Sequence, residues 1–468
     1  MSDTFAAVDL GASGGRVVVG RAGPGELRMR TAHRFPNRPV RTRDGLHWNV
    51  LELYREMCAG LAQAVREEPD LAGVAVDSWA VDYALLRGGR VLGMPHHYRD
   101  ERNPAAVPDV HALVSPEELY EINGLQHLSF TTAFQLAAER RAGFLALADG
   151  LLLLPDLLGY WLTGEQVAER TNASTTGLLD VHRGEWSRPL LERLGVDPGL
   201  LPPLISPGER IGAVTADVAA ELGAAPPVTA VGSHDTASAV VAVPARDESF
   251  AYISCGTWSL VGVEVERPVL SAAGRAANFT NERGVDGRIR YLHNVMGLWL
   301  LNESVAHWSR TEPVDLATLL AEAAEVPSGR VAVFDTDDER FLPPGDVPGR
   351  IADWLTEHDR PVPRSRAEFA RCILESLAAA YARSVEQAAE LTGRTVSAVH
   401  VVGGGAQNEL LCRLTAERTG RPVVAGPVEA TALGNVLVQA RTAGKLGGSL
   451  ESLRDLVRRT GRLRTYRP

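Results

Sequence analysis

Apolar residues fill positions 5–10 (FAAVDL), stop at Gly11, and resume at 16–20 (RVVVG), with a third extended run near 27–33. Gly and Ser between the first two runs favour a tight turn, which predicts a β-meander rather than a βαβ crossover. From Asn49 the period changes. Val50, Leu53, Tyr54, Met57, Leu61 and Val65 recur every three to four residues, so a helix is predicted with Asn49 as its cap. Strands are predicted at 74–77 and 81–86.

The second half repeats this order. A strand is expected at 249–254 (SFAYIS), a tight turn at Cys255-Gly256-Thr257 and a second strand at 258–265. A long amphipathic helix at 366–391 ends at Gly393, and a strand at 396–402 runs into Gly403-Gly404-Gly405. Strand, glycine turn, strand, helix and strand therefore occur twice, about 245 residues apart, which predicts two similar domains. The boundary is placed near Pro244-Ala245-Arg246, giving domains 1–244 and 245–468.

Composition narrows the class. With 468 residues, 45% apolar and 23% charged, the chain is ordinary for a folded protein and long enough for two or three domains. A net charge of −10 argues against a nucleic-acid partner, which needs a basic face. The four cysteines, Cys58, Cys255, Cys372 and Cys412, are too far apart for a disulfide framework or a CxxC zinc site, so a cytoplasmic location is expected. The N-terminal residues carry Asp3 and Asp9 and no basic stretch, unlike a secretory signal. The most apolar stretch, 144–162, holds Asp149, Pro155 and Asp156 and reads as buried core, so no membrane partner is expected. Lys445 is the single lysine and sits in Ala-Gly-Lys-Leu, which excludes a lysine P-loop.

Five segments carry candidate chemistry. In Asp9-Leu-Gly-Ala-Ser-Gly-Gly-Arg16, small residues admit an anion to backbone amides, and Asp9 could hold hydrated Mg²⁺ beside it; a hairpin that only turns the chain is the alternative. The spacing is not GxGxxG, and it leads into a strand, which disfavours a dinucleotide site. Ser233-His234-Asp235-Thr236 precedes an apolar run at 237–243. Asp235 there is either a helix N-cap or a general base, and the two roles can coexist. The triple glycine at 403–405 permits flat contact with a base or ribose, with the amides of Gln407 and Asn408 beside it. Trp79, Asp82 and Asn294 suit a sugar, combining apolar faces with hydroxyl contacts.

Taken together, VDLGASGGRV, DSWAVDYALL, YRDERN, TNASTTGLLD, SHDTASAV, ISCGTWSL, HNVMGLWLL, VHVVGGGAQN and PVEATALGN resemble the FGGY family of carbohydrate kinases, in the family's order from residue 8 to residue 435. The resemblance implies an α/β chain of two actin-like (ribonuclease H-like) domains with an interdomain active-site cleft. It implies MgATP-dependent phosphorylation of a ketose 1-hydroxyl, L-rhamnulose first, with xylulose or fuculose as alternatives. A non-enzymatic, nucleotide-gated actin-like module is the rival of another class. The implied ATP contacts are Ala12, Ser13, Gly14, Gly15, Arg16, Thr257, Asn302 and Gly404, with Asp9 on the Mg²⁺ side. The implied sugar contacts are Ala80, His234, Asp235, Thr236 and Asn294, with Asp235 taking the proton. Ala80 replaces the family's usual glycine and Asn302 a usual glutamine. Sugar and ATP are the expected partners, and the chain is expected to be a monomer or homodimer.

Overall fold

The computed structural model describes residues 2–468 and divides the chain into two compact units. Among these residues the first comprises 2–246, 264–291 and 430–461, and the second 247–263, 292–429 and 462–468. The division therefore differs from a single cut near 244, because residues 264–291 and 430–461 pack with the first unit.

Strands β1 (Asp3–Gly11), β2 (Gly14–Gly23) and β3 (Glu26–Pro36) form the expected meander. Helix α1 (Val50–Glu67) follows, and Asn49 caps it by accepting from the Glu52 amide at 3.4 Å. Strands β4 (Gly73–Ser78), β5 (Arg210–Ala213) and β6 (Pro227–Thr229) complete a sheet ordered β5-β6-β4-β1-β2-β3. β1 runs parallel to β4, with Asp9 opposite Asp77, and antiparallel to β2, with Asp9 opposite Arg16. Helix α2 (Asp235–Val241) begins just past the Ser78–His234 bridge.

The helix Ala430–Thr442 belongs to this unit because its small face fits the sheet. Ala432, Val436 and Ala440 pack on Phe5, Ala7, Val18 and Ala22. Gly434 is required by a close crossing, since a Cβ there would lie 1.8 Å from the Ser238 carbonyl oxygen on α2. A second core in the same unit buries Tyr83, Leu85, Leu151 and Leu153 from strands Tyr83–Arg87 and Gly150–Leu153 against helix Thr132–Ala142. The 144–162 stretch is mostly buried there, but Phe144 and Leu147 are exposed, lying where the chain turns into a short 3₁₀ helix.

In the second unit, β7 (Phe250–Cys255) and β8 (Ser259–Val265) form the expected hairpin. Helix α3 (Arg366–Thr392) starts at the Ser365 cap and stops at left-handed Gly393. It leads to β9 (Ala398–Val402), α4 (Glu409–Thr419), β10 (Val423–Ala425) and β11 (Arg464–Tyr466). The strands run β8-β7-β9-β10-β11, with β7, β9 and β10 parallel. The hairpin beside two parallel strands, β2-β1-β4-β6, is thus matched here by β8-β7-β9-β10. No described helix is long and apolar enough to cross a membrane.

Candidate active site

The β1–β2 turn holds only Ala12 and Ser13 between paired Gly11 and Gly14. Neither has a positive φ, so the glycines here answer to crowding rather than to turn handedness. A Cβ on Gly15 would sit 2.4 Å from the Phe35 ring, and one on Gly14 would sit 3.1 Å from the Phe35 carbonyl. Below the turn, Arg16 donates to Asp9 Oδ2 through Nε (2.8 Å) and Nη2 (2.6 Å).

Beside Asp9 stands Asp77, fully buried, which accepts from Asn435 Nδ2 at 2.6 Å through Oδ2. Its Oδ1 is buried without a hydrogen-bond partner. Gln439 in turn donates to Asn435 Oδ1 at 2.7 Å, fixing the amide. Burial, then the charge of Asp9, pushes the Asp77 carboxyl well up, and the charge of Asp235 adds to this. Asp9, Asp77 and Asp235 thus form one electrostatically linked group of carboxylates. An orphaned carboxylate oxygen among acids is a donor set that fits a hard divalent cation.

Asp235 is the first residue of α2, and His234 holds the cap position without capping through its side chain. The Asp235 carboxylate therefore does not cap the helix from outside; its Oδ1 accepts from the Thr236 amide at 2.5 Å and the Thr236 hydroxyl at 3.2 Å. About 30% of the side chain stays accessible. Burial raises its pKa, against the charge of His234, and the charge of Asp9 raises it further. His234 is held from behind. Arg290, entirely buried, donates from Nη2 to His234 Nδ1 at 3.0 Å, and lies 3.0 Å from Glu282 Oε2. The same Nδ1 lies 3.3 Å from Glu282 Oε2, and the other ring nitrogen, Nε2, faces Asp235 Oδ1 at 3.5 Å.

The backbone before Asp235 is fixed by Glu169, 1% exposed, whose carboxylate accepts from the amides and hydroxyls of Thr171 and Ser233 and from the Asn172 amide. Burial raises its pKa despite these bonds. Sequence reading missed Glu169, Glu282, Arg290 and Asp77. Asp77 and Glu169 lie in or beside the stretches that carry the family resemblance; Arg290 had no sequence signal, because its partner is 56 residues away.

Ala80 is half-buried and precedes Val81, a β-branched residue at φ 66°. The Asp82 amide donates to the Ala80 carbonyl at 2.9 Å, closing a γ-turn around Val81. Such backbone strain persists only where the surroundings hold it, and here the Thr132 hydroxyl donates to the Val81 carbonyl at 2.6 Å. Asp82 itself is consumed. Its carboxylate accepts from Trp48 Nε1 (2.5 Å), Trp79 Nε1 (3.0 Å), the Tyr98 amide (3.2 Å) and Gln135 Nε2 (2.9 Å), and it is 1% exposed. Asp82 and the Trp79 indole nitrogen therefore brace one another and have no free polar face for a sugar. Burial pushes Asp82 up to about 6.

Four expected contacts fall in the second unit: Asn294, Thr257, Asn302 and Gly404. Thr257 lies half-buried in the three-residue loop between paired Cys255 and Ser259, where Trp299 donates its amide to the Thr257 carbonyl at 3.1 Å. Asn302 is exposed on helix Trp299–Trp308, and Asn294 is half-buried on strand Ile289–Val295. The triple glycine separates by role. Gly403 has φ 82°, and a Cβ on Gly405 would lie 2.1 Å from Cys255 Sγ, so both serve the fold. Gly404 is exposed, and a Cβ there would meet nothing within 4 Å, so open space lies over it. Asn408 caps α4 by accepting from the Leu411 amide at 3.0 Å, so its side-chain oxygen is engaged.

Comparison with known proteins identifies the family. The N-terminal domain model of the FGGY family of carbohydrate kinases matches residues 4–242 and the C-terminal domain model residues 251–443. The chain is 40% identical over 472 residues to the rhamnulokinase of Bacteroides thetaiotaomicron, covering 100% of this chain and 96% of that one. It is 40% identical over 469 residues to the rhamnulokinase of Pectobacterium atrosepticum, covering 99% and 92%. Among solved structures, gluconate kinase from Lactobacillus acidophilus superposes with a TM-score of 0.81 at 15% identity, covering 100% and 94%. Xylulose kinase from Rhodospirillum rubrum does so with 0.74 at 21%, covering 99% and 93%. At these identities the structures speak to the fold, a two-domain α/β sugar-kinase architecture, while the family models and relatives span nearly every residue discussed above. The chain belongs to the FGGY family of carbohydrate kinases.

Proposed function

We propose that this enzyme transfers the γ-phosphoryl group of ATP to the 1-hydroxyl of L-rhamnulose, giving L-rhamnulose 1-phosphate and ADP. The observation that carries the reading is full-length likeness, at 40% identity, to proteins named rhamnulokinase. The family membership makes ATP the co-substrate and a sugar the acceptor; the ketose and the residue roles are part of the proposal.

Asp235 takes the proton of the attacking hydroxyl. Its raised pKa suits a base, and Thr236 together with His234 Nε2, 3.5 Å away, keeps the acceptor oxygen oriented. Ala80 and Asn294 complete the sugar contacts. Residues Ala12 to Arg16 offer amides, the Ser13 hydroxyl and a guanidinium to the phosphates. Thr257 adds a hydroxyl, and Asn302 and Gly404 receive the nucleoside. Asp9, backed by Asp77, would hold Mg²⁺, which when bound offsets charge on the transferring phosphates. The tight bond from Arg16 to Asp9 would then loosen and free the guanidinium for phosphate.

ADP release measured across a panel of ketoses tests the reading. L-Rhamnulose should give the highest kcat/KM; a higher value for xylulose or fuculose would replace the substrate and leave the kinase chemistry standing.

A further inference from the structure

Away from these residues, the exposed hairpin formed by strands Val40–Thr42 and Gly45–His47 folds against the segment 94–97. His47 and His96 oppose one another in an antiparallel bridge. The Trp48 amide donates to the Pro95 carbonyl and the His97 amide to the Leu46 carbonyl, both at 2.9 Å, so backbone bonds fix the pair. Their rings lie 4.2 Å apart, and one ligand atom each from Asp44, His47 and His96 falls within 4.8 Å of the others.

The nitrogen chemistry is specific. His47 is 5% exposed, and its Nδ1 lies 3.2 Å from the Met94 carbonyl, which can only accept. The ring proton is therefore on Nδ1, and Nε2 carries a lone pair. That Nε2 is buried without a hydrogen-bond partner and lies 3.5 Å from Asp44 Oδ1. An edge of a tetrahedron with about 2.0–2.1 Å metal bonds is about 3.4 Å long. His96 has a carboxylate behind it, its Nδ1 lying 3.7 Å from Glu139 Oε1, which Arg102 holds at 2.8 Å. A carbonyl behind one histidine and a carboxylate behind the other are the outer contacts that metal-binding imidazoles use. The Thr42 hydroxyl bonds Asp44 Oδ1, and this, with the Asp44 amide, holds its carboxyl below the usual range.

We propose that Asp44, His47 and His96 bind one zinc ion, with water in the fourth position, and that the ion clasps the hairpin onto the segment 94–97. Two imidazoles and a carboxylate suit zinc rather than Mg²⁺, which demands oxygen ligands in octahedral geometry. The clasp sits directly before Trp48, whose ring stacks on His97 at 4.0 Å and whose Nε1 bonds Asp82. Zinc would thus stiffen the support beneath Ala80 without entering the chemistry.

The test uses full-length protein stripped by chelator and then kept in saturating Mg²⁺ to occupy oxygen-ligand sites. Calorimetric titration should show one zinc bound per chain, and Co²⁺ should give the visible absorption of a four-coordinate site. His96→Gln and Asp44→Asn, the latter at an exposed position, should each weaken zinc more than about tenfold and abolish the cobalt bands. His47→Gln should do the same, and the other two variants decide the matter if it fails to fold. Absence of a one-equivalent zinc site in wild type, or affinity in both variants within about threefold of wild type, overturns the proposal.

Discussion

The two units carry the same local sheet, a hairpin beside two parallel strands, and fill it with opposite chemistry. In the first, Asp9 and Asp77 stand side by side on β1 and β4, and Asp235 opens the next helix. In the second, β7 (FAYISC) and β9 (AVHVV) contain no carboxylate at all. There the hairpin end is neutral, with Ser259 Oγ 2.6 Å from the Tyr381 hydroxyl and Cys255 Sγ 3.5 Å from the same oxygen. The glycines differ likewise. Those near Ser13 yield to Phe35, whereas Gly404 opens to solvent. One scaffold thus gathers negative charge in the first unit and leaves the hairpin end neutral in the second. The sheet supplies positions, and the side chains on them decide the task.

The contrast breaks most sharply at Asp235. Asp235→Asn should lower kcat by about 10²- to 10⁴-fold while leaving sugar affinity and thermal stability near wild type, since an amide fits the same bonds but takes no proton. Because burial and Asp9 raise the Asp235 pKa, wild-type turnover should fall on acidification at a pH above the usual carboxylate range of about 4. Wild-type turnover in the variant would reduce Asp235 to a helix-start residue.

Asp82 gives a stability test of the first unit. Its folded pKa of about 6 exceeds the unfolded value, so protonation favours the folded state. The contribution is present below about pH 4 and lost as pH rises through 6, a change of up to about 3 kcal/mol. Asp82→Asn cannot titrate, so its denaturation midpoint should fall less than wild type's between pH 4.5 and 7. Parallel pH curves would show that Asp82 is not the source.

In the second unit, the glycine loop should separate fold from ligand. Gly405→Ala must displace Cys255 and should cost about 1–3 kcal/mol by denaturant melting. Gly404→Val meets nothing, so its stability should change by no more than about 0.5 kcal/mol. Its KM for ATP should rise about tenfold with the sugar KM unmoved, a difference of about 1.4 kcal/mol. Equal damage to both KM values would assign Gly404 to the fold as well. The smallest effect is expected at Thr257→Val, where loss of one hydroxyl contact of about 0.5–1.5 kcal/mol should raise the ATP KM a few-fold.

Local periodicity was enough to read the meander, α1 with its Asn49 cap, the second hairpin, the 27-residue helix ending at Gly393 and the repeated order that relates the two units. Hydrophobic period and capping are written within a few residues of one another, so the chain alone determines them. The short stretches carrying the kinase resemblance are legible for the same reason. Tertiary structure alone decided what the polar residues inside those stretches do. It assigned Asp82 to bracing Trp48 and Trp79, placed His234 rather than Asp235 at the cap, and brought residues 264–291 and 430–461 to the first unit. It also paired Asp77 with Asn435 across 358 residues and His234 with Arg290 across 56. The physical reason is that a buried polar atom must find a partner wherever the fold provides one, and burial and charge act through distance in space, to which spacing along the chain is blind.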